Sequence, residues 1–335
     1  MSKPTLADVA RLAEVSEMTA SRALNRRGYV SAATIERVEA AAAKVGYMPN
    51  RLAGALASER TPLVAVVLPT LSNAVFPEVL AGIGAGLAGT GMTPVFGVTE
   101  YAPEAEEQNI RELLSWRPAG LIVTGLEHSV AARNLLAACD ARVAEIMDTD
   151  GTPVSACFGL SHRAVGEAMA RHLLDKGYRR FGYVGARLDR DLRARKRRDG
   201  FVAVIRAAGA TLVHDLAPDA RSSMLLGRQL TAGVLAAGGQ GADRRVDALY
   251  YSNDDMAAGG LMHCLAEGVE VPGRVALAGF NGLDLVDALP LRLTTYRSPR
   301  FEIGRQAAAY IAALQAPEIP PRRVIDGELV PGETS

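Results

Sequence analysis

The first 56 residues constrain this chain more than any other stretch. Thr5-Leu6-Ala7-Asp8-Val9-Ala10-Arg11-Leu12-Ala13 runs through Glu14-Val15-Ser16 into Glu17-Met18-Thr19-Ala20-Ser21-Arg22-Ala23-Leu24-Asn25. Thr5 is placed to cap a first helix, with Asp8 three residues on able to bond back. Val9, Ala10 and Ala13 form its inner stripe, and the two alanines let a second helix cross closely. Val15 plugs the turn. Ser16 can cap the second helix, and Ala20 and Leu24, four apart, face inward. Ser31 starts a third helix with the stripe Ile35, Val38, Ala42 and Val45, and Gly46 ends it.

Two short helices joined by a tight turn are what a DNA major groove accepts. Glu17, Met18 and Arg22 point outward from the early turns of the second helix, where base edges are read. Ser16, Thr19, Ser21 and Asn25 suit phosphate contacts, which position without reading sequence. Thr5 and Tyr29 join the candidate DNA-binding set. An ordinary amphipathic helix pair is the alternative reading of this pattern alone. The next segment argues against it. Pro49 breaks the preceding helix, Asn50 can cap a new one, and Arg51-Leu52-Ala53-Gly54-Ala55-Leu56 is too short to stand alone as a helix. Leu56 sits where an apolar wedge can enter a minor groove.

Residues 5 to 56 resemble the DNA-binding and hinge region of the LacI/GalR family of bacterial repressors. The stretches that carry the resemblance are Thr5-Leu6-Ala7-Asp8-Val9-Ala10, Val15-Ser16, Thr19-Ala20-Ser21-Arg22, Asn25 and Gly46-Tyr47-Met48-Pro49-Asn50. It implies that Glu17, Met18 and Arg22 read bases, that Leu56 is the wedge, and that the hinge folds only on operator DNA. Glu17 departs from many members; a carboxylate accepts from cytosine N4 or repels phosphate, and so biases the operator.

Charge is distributed to match. The formal net charge of the whole chain is zero, with 37 basic and 37 acidic residues. Residues 1–60 hold nine Lys/Arg and six Asp/Glu, a net of +3, which leaves 28 basic and 31 acidic residues and −3 for the rest. A basic head on a mildly acidic body suits a DNA-binding module on a sensor. Cys139, Cys157 and Cys264 are far apart without metal-ligand spacing, and read as reduced cytosolic thiols. No export leader and no membrane-spanning apolar run stands in the sequence, so a cytoplasmic protein with no membrane partner is expected.

From Thr61 onward the pattern becomes βαβα. Leu63-Val64-Ala65-Val66-Val67-Leu68 is a continuous apolar run, as a strand buried on both faces requires. A helix over 76–89, a strand Thr93–Val98, a helix over 102–116 and strands Gly120–Thr124 and Val143–Met147 follow. The pattern restarts at Phe181-Gly182-Tyr183-Val184-Gly185, with a polar loop, a helix over Arg197–Ala208, and strands ending at Ser252-Asn253 and at Phe280-Asn281. The fold class expected is α/β: an all-α helix-turn-helix domain (1–46), a hinge and linker (47–60), and a two-lobed body of parallel sheets (61–335). Its lobes are placed at about 62–160 and 161–290, with the C-terminal segment crossing back. Ligands bind off the carboxyl ends of strands in such sheets.

Residues 62 to 330 resemble the effector domain of the same family, itself similar to periplasmic sugar-binding proteins. The marks are Gly177-Tyr178-Arg179-Arg180-Phe181, Asn253-Asp254-Asp255-Met256-Ala257, Ala278-Gly279-Phe280 and Leu293-Thr294-Thr295. Leu68-Pro69-Thr70-Leu71-Ser72-Asn73, Leu114-Ser115-Trp116 and Gly279-Phe280-Asn281-Gly282 resemble the gluconate-repressor branch. The resemblance implies that Arg197 grips sugar hydroxyls or carboxylates and that Asn253 contacts ligand. Asn281 stands where most neutral-sugar repressors carry Asp; an amide there removes the repulsion of an acid, so an anionic sugar acid is the expected effector. Gluconate, 2-ketogluconate and 6-phosphogluconate all fit. Arg187, Arg190, Arg193, Arg195, Lys196, Arg197 and Arg198 crowd one stretch, which reads as a solvated face or as a carboxylate grip. Arg197 leads, then Lys196 and Arg187. Thr70, Asn73 and Phe76 line the first half of the cleft, and Thr124, Glu127, His128 and Asp148 complete it. Ser161-His162 stands where an Asp-Asn pair is common in the family.

The resulting expectation is a homodimeric repressor. It reads a pseudo-palindrome in double-stranded operator DNA and uses no cofactor or metal. An activator or dual regulator answering to a phosphorylated or neutral sugar is the alternative. A tetramer built on a C-terminal coiled coil is not expected, because no long heptad tail is seen. No nucleophile elbow, phosphate loop or dinucleotide fingerprint supports an enzyme, and Asp254-Asp255 reads as helix capping.

Overall fold

A computed structural model describes residues 3–25, 28–48, 60–72, 74–315 and 317–335. The chain divides into two compact units, Met1–Thr61 and Pro62–Ser335. Asn50, Leu56 and Asn73, named above as candidate contacts, lie outside the described residues.

The first unit is a three-helix core. Helix α1 (Leu6–Leu12) begins with a reciprocal cap: the Thr5 hydroxyl accepts from the Asp8 amide, and the Asp8 carboxylate accepts from the Thr5 amide at 2.9 Å. Helix α2 (Glu17–Leu24) is capped by Ser16, whose hydroxyl accepts from the Thr19 amide at 3.1 Å. Helix α3 (Ala32–Val45) starts at Ser31 and ends at Gly46, whose φ of 68° is the left-handed conformation a helix terminator needs. The interior is made of small side chains: Val9, Ala10, Ala13, Ala20, Ala23, Val38, Ala41 and Ala42. Alanine at six of these positions is what permits three short helices to cross at close range.

The second unit holds two sheets. In the first lobe the strand order is β11-β5-β4-β3-β1-β2, with β1 (Thr61–Leu68), β2 (Thr93–Val98), β3 (Pro118–Thr124), β4 (Arg142–Ile146), β5 (Ala156–Gly159) and β11 (Arg322–Val324). The continuous apolar run of β1 has a direct cause. Val64, Val66 and Leu68 enter one core with Phe158, Val79 and Ile83, while Ala65 and Val67 enter another with Ile110, Leu121 and Val143. The second lobe is a parallel sheet ordered β7-β6-β8-β9, from β6 (Arg180–Val184), β7 (Thr211–Leu216), β8 (Ala248–Tyr251) and β9 (Ala276–Ala278). An antiparallel pair, β10 (Thr295–Arg297) with β12 (Glu328–Val330), accompanies them. Because β11 belongs to the first sheet while Thr334 bonds to Leu277 in β9, the chain passes between the lobes three times.

Seven helices position the cleft or cover the sheets: α4 (Val75–Leu87), α5 (Pro103–Ser115), α6 (Val130–Ala138), α7 (His162–Asp175), α8 (Leu192–Ala207), α9 (Met224–Gly239) and α10 (Asp254–Ala266). The short α11 (Leu285–Ala288) precedes α12 (Arg300–Ala312), which returns to pack on α4 and the first sheet. Helix α8 begins five residues before the Arg197 start read from the sequence. Asp191 is the reason: its carboxylate accepts from the Ala194 amide at 3.1 Å and opens the helix there. Arg193 and Arg197 therefore share one helix face, one turn apart. Gly166 and Gly200 then let α7 and α8 approach; a Cβ on Gly166 would collide with the Arg197 carbonyl oxygen, and one on Gly200 with that of Arg163.

Candidate effector cleft and DNA-reading face

A cavity of about 540 Å³ lies between the two lobes of the body. The first lobe lines it with Thr70, Ser72, Phe76, Glu100, Tyr101 and Met147. From the second lobe come Arg187, Asp191, Arg193, Arg197, Arg221 and Ser222, with His162, Asn253, Asp255, Phe280 and Asn281 completing the wall. Most of these residues follow the carboxyl end of a strand, where the backbone must turn sharply. Glu100, Tyr101, Met147, Arg187 and Asn281 all have positive φ, from 48° to 124°. Side-chain-bearing residues held in that region mark sites where local backbone cost is accepted for the direction it gives a side chain.

Arg197 is buried and fully oriented. Its Nη1 donates to His162 Nδ1 at 2.8 Å, its Nη2 donates to the Ser252 carbonyl at 3.0 Å, and its guanidinium lies 3.8 Å from the centre of the Phe280 ring. Asn253 caps α10 through the Met256 amide and donates to Ser222 Oγ at 2.7 Å, tying two cleft loops together. Arg187 pairs with Asp219 at 3.0 Å on the rim. Arg193 faces the Tyr101 ring, 6.0 Å from its centre. Burial, and then Asp191, hold the Tyr101 phenol above its ordinary range, so it remains a neutral donor. The Asn281 backbone is gripped from outside the cleft: Arg300 donates to its carbonyl and makes two hydrogen bonds to Glu78, at 2.9 and 2.7 Å. Four arginines face three carboxylates, and all four come from the second lobe.

Thr70, Phe76, Arg187, Arg197, Asn253 and Asn281, all anticipated from the sequence, line this one cavity. Thr124, Asp148 and Lys196 do not. The Thr124 hydroxyl donates to the Val67 carbonyl inside the first lobe. Lys196 is inserted between Glu127 and Asp148, at 2.5 and 2.6 Å, and so joins second-lobe helix α8 to loops of the first lobe. Burial pushes the Asp148 carboxyl up, against the pull of Lys196. His128 is also withdrawn: its Nδ1 meets Glu106 at 2.6 Å and its Nε2 meets Glu145 at 3.4 Å. Burial opposes the charge on His128, but Glu106 and Glu145 outweigh it and raise its pKa to about 9. Sequence reasoning missed Glu100, Tyr101, Asp191, Arg221 and His162. Two of these left a signal: Asp191 as a capping residue three positions before Ala194, and His162 as a departure from the Asp-Asn pair common in the resembled family.

In the first unit Glu17, Met18 and Arg22 are exposed on α2, and Met18 keeps 64% of its surface open. Thr5 and Ser16 use their hydroxyls as caps, and Thr19 bonds Ser16 Oγ at 2.9 Å. Asn25 turns its amide back to the Ser21 carbonyl at 2.8 Å, closing the helix. Ser21 is half-buried and Tyr29 is fully exposed.

A capped helix-turn-helix unit and a two-lobed α/β body in one chain define the architecture of a DNA-binding transcriptional regulator. The comparisons agree. Residues 5–50 match the family of bacterial regulatory proteins known as the lacI family, and residues 170–335 match the periplasmic binding protein-like domain. The HTH-type transcriptional regulator GntR of Pseudomonas aeruginosa (strain PAO1) is 40% identical over 94% of this chain and 90% of its own. The regulator of the same name from Escherichia coli K12 is 30% identical over 93% of this chain and 92% of its own. A lacI-family transcriptional regulator from Silicibacter pomeroyi superposes with a TM-score of 0.91 at 48% identity, covering 99% of both chains. This chain belongs to the lacI family of transcriptional regulators. No helix among the described residues is long and apolar enough to cross a membrane.

Proposed function

We propose that this protein is a homodimeric, cytoplasmic transcriptional repressor whose operator affinity is set by a small sugar acid, gluconate or a close relative, bound between the lobes. Glu17, Met18 and Arg22 read base edges, one recognition helix per subunit on a pseudo-palindrome, and residues 47–60 form the hinge. The observation that carries the effector reading is the second-lobe wall. Arg197 is fixed over Phe280 beside the neutral amide Asn281, so a carboxylate entering the cleft meets an oriented guanidinium without an acid at Asn281 to oppose it. The similarity to two regulators called GntR supports the same class of effector. Ligand binding lowers DNA affinity by linkage, because the acid favours the lobe arrangement that does not bind operator.

The test is calorimetric titration with gluconate, 2-ketogluconate, 6-phosphogluconate, glucose and ribose, followed by operator binding with and without the ligand found. One acid binds, Arg197→Ala abolishes that binding, and the acid releases DNA. Binding of glucose or ribose alone overturns the sugar-acid reading. Tighter operator binding with ligand overturns the sign of the coupling.

A further inference from the structure

Among the cleft residues that the sequence did not single out as contacts, His162 has the most constrained surroundings. It is the first residue of α7, with 1% of its surface exposed. Its Nε2 lies 2.7 Å from the Met147 carbonyl, and its Nδ1 lies 2.8 Å from Arg197 Nη1. A carbonyl can only accept and a guanidinium can only donate. Nε2 therefore carries the proton and Nδ1 is bare; both neighbours select the same neutral tautomer. Burial, and then the cations Arg197, Arg193 and Lys196, hold the imidazole well below its ordinary pKa, so it does not charge near neutrality. The ring meets Phe280 edge-on, centres 5.9 Å apart, and the same Phe280 ring supports the Arg197 guanidinium.

This arrangement does two things at once. It occupies one Nη1 hydrogen of Arg197, which fixes the rotation of the planar fork. It also joins that fork to Met147, a residue of the opposite wall with a φ of 71°. We infer that His162 is a positioning residue for acid recognition: by accepting from Nη1 it fixes the rotation of Arg197 so that the remaining guanidinium hydrogens meet a carboxylate in one orientation. This rests on the sugar-acid reading above. A plain space-filling histidine would stabilise the fold without favouring acids.

The experiment measures gluconate affinity and thermal unfolding for the parent, His162→Leu, His162→Asn, Arg197→Lys and the double variant Arg197→Lys/His162→Leu. Leu removes the acceptor; Asn keeps an acceptor for Arg197 but is too short to reach Met147 as well. His162→Leu is expected to weaken gluconate binding about 10- to 100-fold, the range of one hydrogen bond to a charged group. Asn stays within about threefold of the parent, because the contact with Arg197 is the one retained. In the Arg197→Lys background, which keeps the charge but loses the planar fork, adding His162→Leu costs less than about threefold. Equal losses from His162→Leu in both backgrounds overturn the inference, as does an Asn variant as weak as Leu. If His162→Leu does not fold, the Asn result alone decides. A parent that binds no sugar acid sinks the underlying reading, whereas a parent that binds gluconate with an equally tight His162→Leu sinks only the role of His162.

Discussion

The two walls of the cleft are built from different chemistry. The second lobe supplies every arginine, with Arg197 buried, stacked and doubly hydrogen-bonded. The first lobe supplies hydroxyls, two aromatic rings and one exposed acid, Glu100, while its buried charges pair elsewhere: His128 with Glu106 and Glu145, and Asp148 with Lys196. An oriented charge stands on one side and neutral donors on the other. In the proposed sugar-acid reading, the second lobe would hold the acid and the first would complete the contacts.

The largest expected effect concerns Lys196, a cation that joins the lobes outside the cavity lining. Lys196→Met leaves Asp148 buried without its partner and should lower stability by roughly 3–5 kcal/mol in urea unfolding. The double variant Lys196→Met/Asp148→Leu should recover most of that loss, and failure to recover would mean that Lys196 acts through Glu127 alone. Next, Arg197→Ala should weaken effector binding about a hundredfold or more by calorimetry, whereas the first-lobe change Thr70→Val should cost only about threefold. Comparable losses from both would erase the distinction between the walls. Intermediate in size is a pH effect inside the first lobe. The folded-state pKa of His128 is raised to about 9 from an ordinary 6.5, so its contribution is complete below pH 6.5 and disappears as pH rises through 9. Unfolding free energy should fall by about 3 kcal/mol across that window. His128→Gln should flatten the profile, and an unchanged slope would assign it to another group.

The sequence revealed elements more readily than partners. The three-helix unit was legible because its signals are local: Thr5, Ser16 and Ser31 cap the very amides that follow them within three residues. Strand β2 (Thr93–Val98) matched its expected bounds, because a strand edge flanked by glycine and polar residues needs no distant information. Arg197, Asn253 and Asn281 were named because they match positions of the resembled family, and Asn253 and Asn281 also follow strand ends. Tyr101 was not, since nothing in Thr99-Glu100-Tyr101 announces two successive positive φ angles. Lys196 and Asp148 look like cleft residues in one dimension. They leave it only because α8 starts at Leu192, which turns Lys196 away from Arg197's face and toward Glu127. Helix phase, set by a single capping carboxylate, decided which of seven crowded cations face the cavity.

Helix α4 begins with Phe76 in the cleft, and one turn into it Glu78 receives the Arg300 fork that also grips the Asn281 carbonyl. Its thirteen residues span about 18 Å at 1.5 Å per residue. One end of the helix thus lines the cavity while the other, at Leu87, is buried in the core of the first lobe. As a rigid rod of that length, a tilt of about 5° about the cavity end would carry the far end about 1.6 Å.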